Sequence, residues 1–321
     1  FNQYVTGLTA SNFSVATSGI SGASVASVSP GSTSFATTYT VTVNTGSGSG
    51  SLRLDLSNLS PTVHDGVNNA LAATSTGESY TIDKTRPNVS AITLLDPQET
   101  SGPNVRFSVQ FTEPVSNVGS EDFSFTNAGG VSAGVASVVS SGTPPSSTWT
   151  VTATVAGSGQ VRLRLPAGTS IHDPAGNVFQ NEALSEPYIV DGDAPYVASV
   201  GGRTVEVVRG TESVSWTVTY GGDPVEISLD EADILPIATP ADSCAALDIV
   251  VSGTGTVERT VTLSNFTGRG QLGFNIVPAE GTATATDSAG NGDTIGFTMS
   301  PADYVLVDNR QETTLALTVA P

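Results

Sequence analysis

The sequence predicts an all-β protein of three tandem antiparallel β-sandwiches, followed by an extra C-terminal strand. Apolar and polar residues alternate with a period of two along most of the 321-residue chain, as in 107–111, 149–153 and 213–219. In addition, several landmark motifs recur three times in the same order. The alternation predicts strands that bury one face, and the recurrence predicts several similar domains.

Two motifs define the repeats. A turn that begins with aspartate and ends with asparagine occurs at 65–69, 173–177 and 287–291. A closing strand that runs from tyrosine to aspartate occurs at 80–83, 188–191 and 304–308. The spacing of roughly 100 residues matches the size of an immunoglobulin-like sandwich. We therefore predict repeats at 1–84, 85–192 and 193–309, and a separate strand at 310–321.

The elements of repeat 2 can be assigned in order, because this repeat is complete. Its first two strands are predicted at 89–95 and 105–111, and its last strand ends at Asp191. Repeat 3 is divergent and is predicted to contain an insertion at 235–248. Hairpin turns need positive φ angles, so turns between paired strands are predicted at the glycine-rich stretches 46–50, 157–159 and 268–270.

The two ends of the sequence are unmatched. Phe1 aligns with Phe111, so repeat 1 lacks its first strand and most of its second. The segment 313–319 alternates as a strand and either begins a fourth repeat or is donated to another copy of the chain. The residues predicted for strand donation are Thr313, Leu315, Leu317 and Val319 on the donated strand and Phe1, Tyr4 and Val5 on the acceptor edge.

Composition excludes several classes of partner. The formal net charge of −19 argues against nucleic acid and anionic membranes, which require a basic surface. No apolar run reaches the roughly 20 residues that span a bilayer. The single cysteine, Cys244, excludes an internal disulfide framework and is predicted to be a small, partly buried residue. A surface supplied mainly by Ser and Thr favours an extracellular or cell-surface location.

The motifs resemble a known family. Phe111-Thr-Glu-Pro-Val115, the turn Asp173-Pro-Ala-Gly-Asn177 and the strand from Tyr188 to Asp191 resemble the bacterial immunoglobulin-like repeats of large secreted and cell-surface proteins, typically adhesin stalks. The resemblance covers repeats 1 and 2 well and repeat 3 loosely. It implies a β-sandwich spacer, sometimes with calcium bound at loops and at junctions between domains.

Calcium is a candidate ligand, although no cofactor is required. The first junction contains Lys84 and Arg86, so the prediction favours the second junction. The candidate ligands are Asp191 and Asp193, with Glu113, Asp173 or Glu99. The alternative for the aspartates of the turns at 65, 173 and 287 is that they accept hydrogen bonds from their own backbone.

No catalytic residue is predicted. His64 and His172 precede the turn aspartate in repeats 1 and 2, but Thr286 takes this position in repeat 3 and no nucleophile motif accompanies the histidines. A residue that recurs in two repeats indicates a structural role. An enzymatic function would require a larger catalytic chain of which this segment is an accessory part.

The sequence favours a non-enzymatic structural stalk or filament element, whose partners are other copies joined head to tail or neighbouring repeats of a longer chain. The alternative is an adhesin module that binds a glycan or a host protein through the insertion in repeat 3. Glycosylation remains open at the sequons of Asn12, Asn58, Asn88 and Asn265.

Overall fold

The computed structural model describes residues 1–59, 63–241 and 243–310. Nearly all regular elements in these ranges are antiparallel strands, which confirms the predicted all-β fold. The predicted donated strand, with Thr313, Leu315, Leu317 and Val319, lies outside the described residues. Helices in the described ranges are single 3₁₀ turns at Ala10–Asn12, Ser120–Asp122, Glu231–Asp233 and Pro301–Asp303.

The strands divide among the three predicted repeats. Those of repeat 1 are β1 (Val5–Thr6), β2 (Phe13–Ser18), β3 (Ser24–Ser29), β4 (Thr40–Asn44), β5 (Gly50–Leu56), β6 (His64–Asp65) and β7 (Ser75–Ile82). Those of repeat 2 are β8 (Val89–Leu94), β9 (Glu99–Thr100), β10 (Asn104–Val115), β11 (Ser124–Gly129), β12 (Ser132–Ser140), β13 (Ser146–Ala156), β14 (Gly159–Leu165), β15 (Ala183–Leu184) and β16 (Tyr188–Val190). Those of repeat 3 are β17 (Tyr196–Gly201), β18 (Val207–Val208), β19 (Ser213–Gly221), β20 (Glu226–Ile227), β21 (Ile234–Thr239), β22 (Cys244–Ser252), β23 (Glu258–Ile276), β24 (Ala285–Thr286), β25 (Phe297–Thr298) and β26 (Val305–Asp308).

Repeat 2 is a sandwich of two sheets. The strand order is β12-β13-β10-β8 in one sheet and β11-β14-β16-β9 in the other, with β16 and β9 parallel. Alternate residues of both sheets fill the space between them, so Phe107, Leu163 and Tyr188 are fully buried. The rings of Phe107 and Tyr188 meet across the sheets with centroids 5.0 Å apart. Burying an apolar side chain of this size stabilises the fold by about 1.5–3 kcal/mol.

The glycine-rich turns carry the chain from one sheet to the other, so the hairpin prediction is wrong. β4 and β5 lie in different sheets, and so do β13 and β14. Gly157, between β13 and β14, has φ +86°, and a Cβ there would lie 2.6 Å from the carbonyl oxygen of Gly130. In repeat 3, Gly268 lies inside β23, whose first part pairs with β19 and whose second part pairs with β26. Alternation is the same in paired and in facing strands, so the pattern does not distinguish them.

The segment 235–248 is not an insertion, which corrects the prediction for repeat 3. It forms most of β21 and the beginning of β22. β21 pairs with the second part of β23 as β11 pairs with β14, and β22 pairs with the first part as β12 pairs with β13. The sequence did not reveal that β21 and β22 correspond to β11 and β12, because the residues between them, 240–243, contain no glycine. Repeat 2 has Gly129 and Gly130 between the equivalent strands. The binding-loop hypothesis for this segment therefore loses its basis.

Within the described part of repeat 1, no strand takes the place of β8, of β9 or of the first part of β10. Among the described residues, β4 pairs with β3 on one side and with no strand on the other, whereas its counterpart β13 pairs with both β12 and β10. Val41 and Val43 on β4 are only half-buried, but their counterparts Val151 and Ala153 are fully buried. The result is an apolar groove beside β4.

The predicted acceptor edge is only partly correct. Val5 is 4% exposed, and its N–H and C=O groups both pair with Ala36, so it cannot accept another strand. Phe1 is bound through its terminal nitrogen to the carbonyl oxygen of Thr37, and Tyr4 is exposed. The prediction failed at Val5 because the loop that contains Ala36 folds back onto it, which no local pattern indicates. The open edge lies on β4.

Candidate functional site at the repeat junctions

The aspartate–asparagine turn has one geometry in all three repeats. In each turn the aspartate Oδ1 accepts the main-chain N–H of the asparagine at 2.8 Å, and the asparagine Nδ2 donates to the aspartate Oδ2 at 2.8 Å. The alternative interpretation of these aspartates, as residues that bond their own backbone, is confirmed. Each turn therefore holds its asparagine side chain in a fixed orientation.

The turns of repeats 2 and 3 each bind the closing strand of the repeat before them. Asn177 Nδ2 donates to the carbonyl oxygen of Asp83 at 3.1 Å. Asn291 Nδ2 donates to the carbonyl oxygen of Asp191 at 2.9 Å. Asp83 and Asp191 occupy the same position at the ends of repeats 1 and 2. The same hydrogen bond thus joins repeat 1 to repeat 2 and repeat 2 to repeat 3.

The acceptor side of each junction is also built in the same way. The hydroxyl of Ser49 donates to Asp83 Oδ1 at 3.1 Å, and the hydroxyl of Ser158 lies 3.5 Å from Asp191 Oδ1. Each serine oxygen accepts the N–H of the residue that follows the aspartate. The aspartate Oδ1 also accepts the N–H two residues further on, from Thr85 at 2.9 Å or from Asp193 at 3.0 Å. These bonds fix the direction in which the strand-end carbonyl group points. The hydrogen bond from Thr85 is the main cause that lowers the pKa of Asp83.

The predicted calcium ligands do not form one site. Asp83, Glu113 and Asp173 are the group of three acidic residues found within the described ranges, with ligand oxygens that all lie within 4.8 Å of one another. Asp191 and Asp193 lie at the second junction instead, where the Ser158 hydroxyl donates to Asp193 Oδ2 at 2.7 Å and lies 3.5 Å from Asp191 Oδ1. The prediction combined two ends of repeat 2, because Glu113 and Asp173 face repeat 1 and Asp191 faces repeat 3. Asp83 was missed, although its alignment with Asp191 was a usable signal.

The three acids at the first junction fit a hard divalent cation. Burial raises the pKa of Glu113, and the charges of Asp173 and Asp83 raise it further. Calcium takes roughly six to eight oxygen ligands and favours carboxylates. Lys84, one of the two cations that counted against this junction, donates its amine to the carbonyl oxygen of Gly46.

The other residues considered from the sequence have structural surroundings. His172 contacts the carbonyl oxygen of Ser170 through Nδ1 at 3.0 Å, and its main chain pairs with Ser116. His64 packs against the ring of Phe35. Cys244 is buried, and burial raises the pKa of its thiol. In the described part of the chain, no helix is long and apolar enough to cross a membrane.

Comparisons with known proteins do not place the chain in a family. No family model and no curated protein matches it. Among solved structures, a chimeric titin Z1Z2 functionalized with a KLER exogenous peptide from decorin is similar at 16% identity, over 71% of this chain and 100% of that chain, with a TM-score of 0.22. The fold assignment therefore rests on the strands and sheets described above.

Proposed function

We propose that the chain is a non-enzymatic structural element outside the cell or on its surface, in which β-sandwich repeats act as a stalk or filament segment. The observation that carries this proposal is the repeated junction, Asn177 to Asp83 and Asn291 to Asp191. Successive repeats that are joined by the same contact keep the same relative placement, which suits a spacer. The resemblance to bacterial immunoglobulin-like repeats supports the same function.

Limited proteolysis with trypsin tests whether this hydrogen bond stabilises the first junction. Lys84 is exposed and lies in the linker between repeats 1 and 2, whereas the linker at 192–195 contains no lysine or arginine. Loss of one hydrogen bond changes the equilibrium constant for opening of the junction by a factor of about 2–12. Asn177→Ala should therefore increase the rate of tryptic cleavage after Lys84 by about that factor. Asn291→Ala is the matched control and should leave this cleavage unchanged. Equal rates in the wild-type and Asn177→Ala chains would contradict the proposal that this contact holds the repeats.

The proposed function requires no cofactor, and calcium would add to it. The residues that would hold calcium are Asp83, Glu113 and Asp173, which come from both sides of the first junction. A bound cation would supply positive charge where three carboxylates converge. It would thereby stabilise the contact between repeat 1 and repeat 2.

We further propose that copies of the chain join head to tail by strand donation. The support is the outer edge of β4, which no described strand covers, and the apolar groove beside it, lined by Phe1, Phe13, Tyr39, Val41 and Leu56. A donated segment 313–319 would pair with β4 and place Leu315, Leu317 and Val319 toward this groove. Because the two surfaces differ, the contact is head to tail, and it propagates into a filament where the rotation between copies does not close a ring.

Deletion of 311–321 tests strand donation. We expect the full chain to form oligomers that grow with concentration in sedimentation velocity, and the shortened chain to remain monomeric. Identical distributions for both chains would rule out donation by this segment.

A further inference from the structure

The Asp65–Asn69 turn of repeat 1 has the geometry of the two turns that bind a closing strand, yet no strand is bound to it within the described residues. Asn69 Nδ2 donates to Asp65 Oδ2 at 2.8 Å, as its counterparts do. Asn177 and Asn291 are half-buried by the preceding repeat, but Asn69 is exposed. The second N–H group of this amide is thus available for a carbonyl oxygen.

The charges around this turn differ from those at the first junction. Gln3 stands where repeat 2 has Glu113, and its Nε2 lies 3.3 Å from Asp65 Oδ2. The amide replaces a carboxylate by a neutral donor. Repeat 1 therefore presents one negative charge fewer to an incoming strand end than repeat 2 does.

The strand end of repeat 3 carries positive charges beside its aspartate. Asp308, which corresponds to Asp83 and Asp191, is buried and bound by two cations. Arg269 Nε lies 3.4 Å from its Oδ1, and Arg310 Nη2 lies 2.5 Å from its Oδ2. A contact between Asp308 and the turn of repeat 1 would thus avoid the convergence of three carboxylates found at the first junction.

We propose that the Asp65–Asn69 turn of one copy binds the main-chain carbonyl oxygen of Asp308 of a second copy through Asn69 Nδ2. This proposal rests on the proposed strand donation and names its second contact. The segment 313–319 follows Asp308 closely, as β8 follows Asp83 and β17 follows Asp191. One docking event therefore fixes the strand end and brings the start of the donated strand to the open side of repeat 1.

The docking also sets the direction of the donated strand. In repeat 2, β8 starts at the first junction, where the N–H of Thr112 donates to the carbonyl oxygen of Asn88 at 2.8 Å. β8 and β13 are both antiparallel to β10 and hence run in the same direction. In repeat 2, β10 lies between β8 and β13, so a donated strand that pairs with β4 would take the place of β10 while keeping the direction of β8, parallel to β4.

The test combines sedimentation velocity and NMR on the full chain in the presence of EDTA. We expect Asn69→Ala to weaken association by about 2- to 12-fold, the equivalent of one neutral hydrogen bond. Asn127→Ala, a substitution of another exposed asparagine, should have no effect. In the wild-type chain, the side-chain amide resonance of Asn69 should shift with protein concentration while that of Asn177 stays fixed, because Asn177 already has its acceptor. The NMR readout does not depend on whether Asn69→Ala disturbs the turn.

The outcomes separate the two proposals. If association requires 311–321 but the Asn69 resonance does not shift and Asn69→Ala associates normally, the docking contact is wrong and strand donation stands. If EDTA abolishes association, the junction between copies is not the metal-independent contact proposed. If the full chain remains monomeric at all concentrations, both proposals are wrong.

Discussion

The hydroxyl oxygen of Tyr188 lies 2.6 Å from the carbonyl oxygen of Arg106, to which it donates a hydrogen bond. The same hydroxyl accepts the N–H groups of Leu95 and Asp96, at 3.0 and 2.9 Å. One buried side chain on β16 therefore ties the closing strand of repeat 2 to β10 in the opposite sheet and to the two residues that follow β8. Tyr80, its counterpart in repeat 1, is 61% exposed, and no described strand takes the place of β8 or β10 beside it.

Tyr188→Phe should destabilise repeat 2 by about 0.5–1.5 kcal/mol, because it removes the hydrogen bonds of a buried hydroxyl to Asp96 and Arg106, whereas the N–H of Leu95 keeps its bond to the carbonyl oxygen of Arg106. Tyr80→Phe is the matched control and should change stability by less than about 0.5 kcal/mol. Urea denaturation of both variants measures the difference. Equal effects would show that the Tyr188 hydroxyl does not bridge the sheets.

Calcium should raise the melting temperature of the wild-type chain, and Glu113→Gln should remove most of this increase. Without calcium, Glu113→Gln should be at least as stable as the wild type at neutral pH, because it removes one of three converging carboxylates. Glu99→Gln is the control, since Glu99 is paired with Ile189 on another strand. Scanning calorimetry with calcium or EDTA gives both comparisons, and an equal calcium response in all three chains would exclude this site.

The ion pair of Asp96 and Arg106 should make repeat 2 less stable in acid. The Arg106 side chain lowers the pKa of Asp96 below its usual value of 3.8, the value expected in the unfolded chain. The stabilisation is therefore present above pH 3.8 and is lost as pH falls below it, toward the lower folded-state pKa. Asp96→Asn should flatten this part of the stability curve in denaturation at a series of pH values. A parallel curve for the variant would contradict the assignment.

Cys244 should react slowly with a thiol reagent in the native chain and rapidly after unfolding. It is 7% exposed, and burial raises the pKa of its thiol, so little thiolate is accessible. Labelling with and without denaturant checks this expectation. Rapid labelling in native buffer would indicate that β22 opens readily.

The turns could be predicted from the sequence because an aspartate four residues before an asparagine specifies its own hydrogen bonds. The sandwich could be predicted as well, since alternation survives wherever one face is buried. The pairing partner of a strand could not be predicted. The strands that contain Trp149 and Leu163 show the same alternation of apolar and polar residues, although they lie in opposite sheets. The convergence of Asp83 with Glu113 and Asp173 depends on how two repeats meet, and no local pattern encodes that distance.

The parallel pairing of β9 with β16 has a consequence for a chain under tension. β9 lies near the start of repeat 2 and β16 at its end, so pulling the termini apart drives the two strands past each other and loads their hydrogen bonds together in shear. Repeat 3 has the same arrangement in β18 and β26. Repeat 1 has no such pair among its described strands, so we expect it to extend first, at the lowest force, in single-molecule stretching.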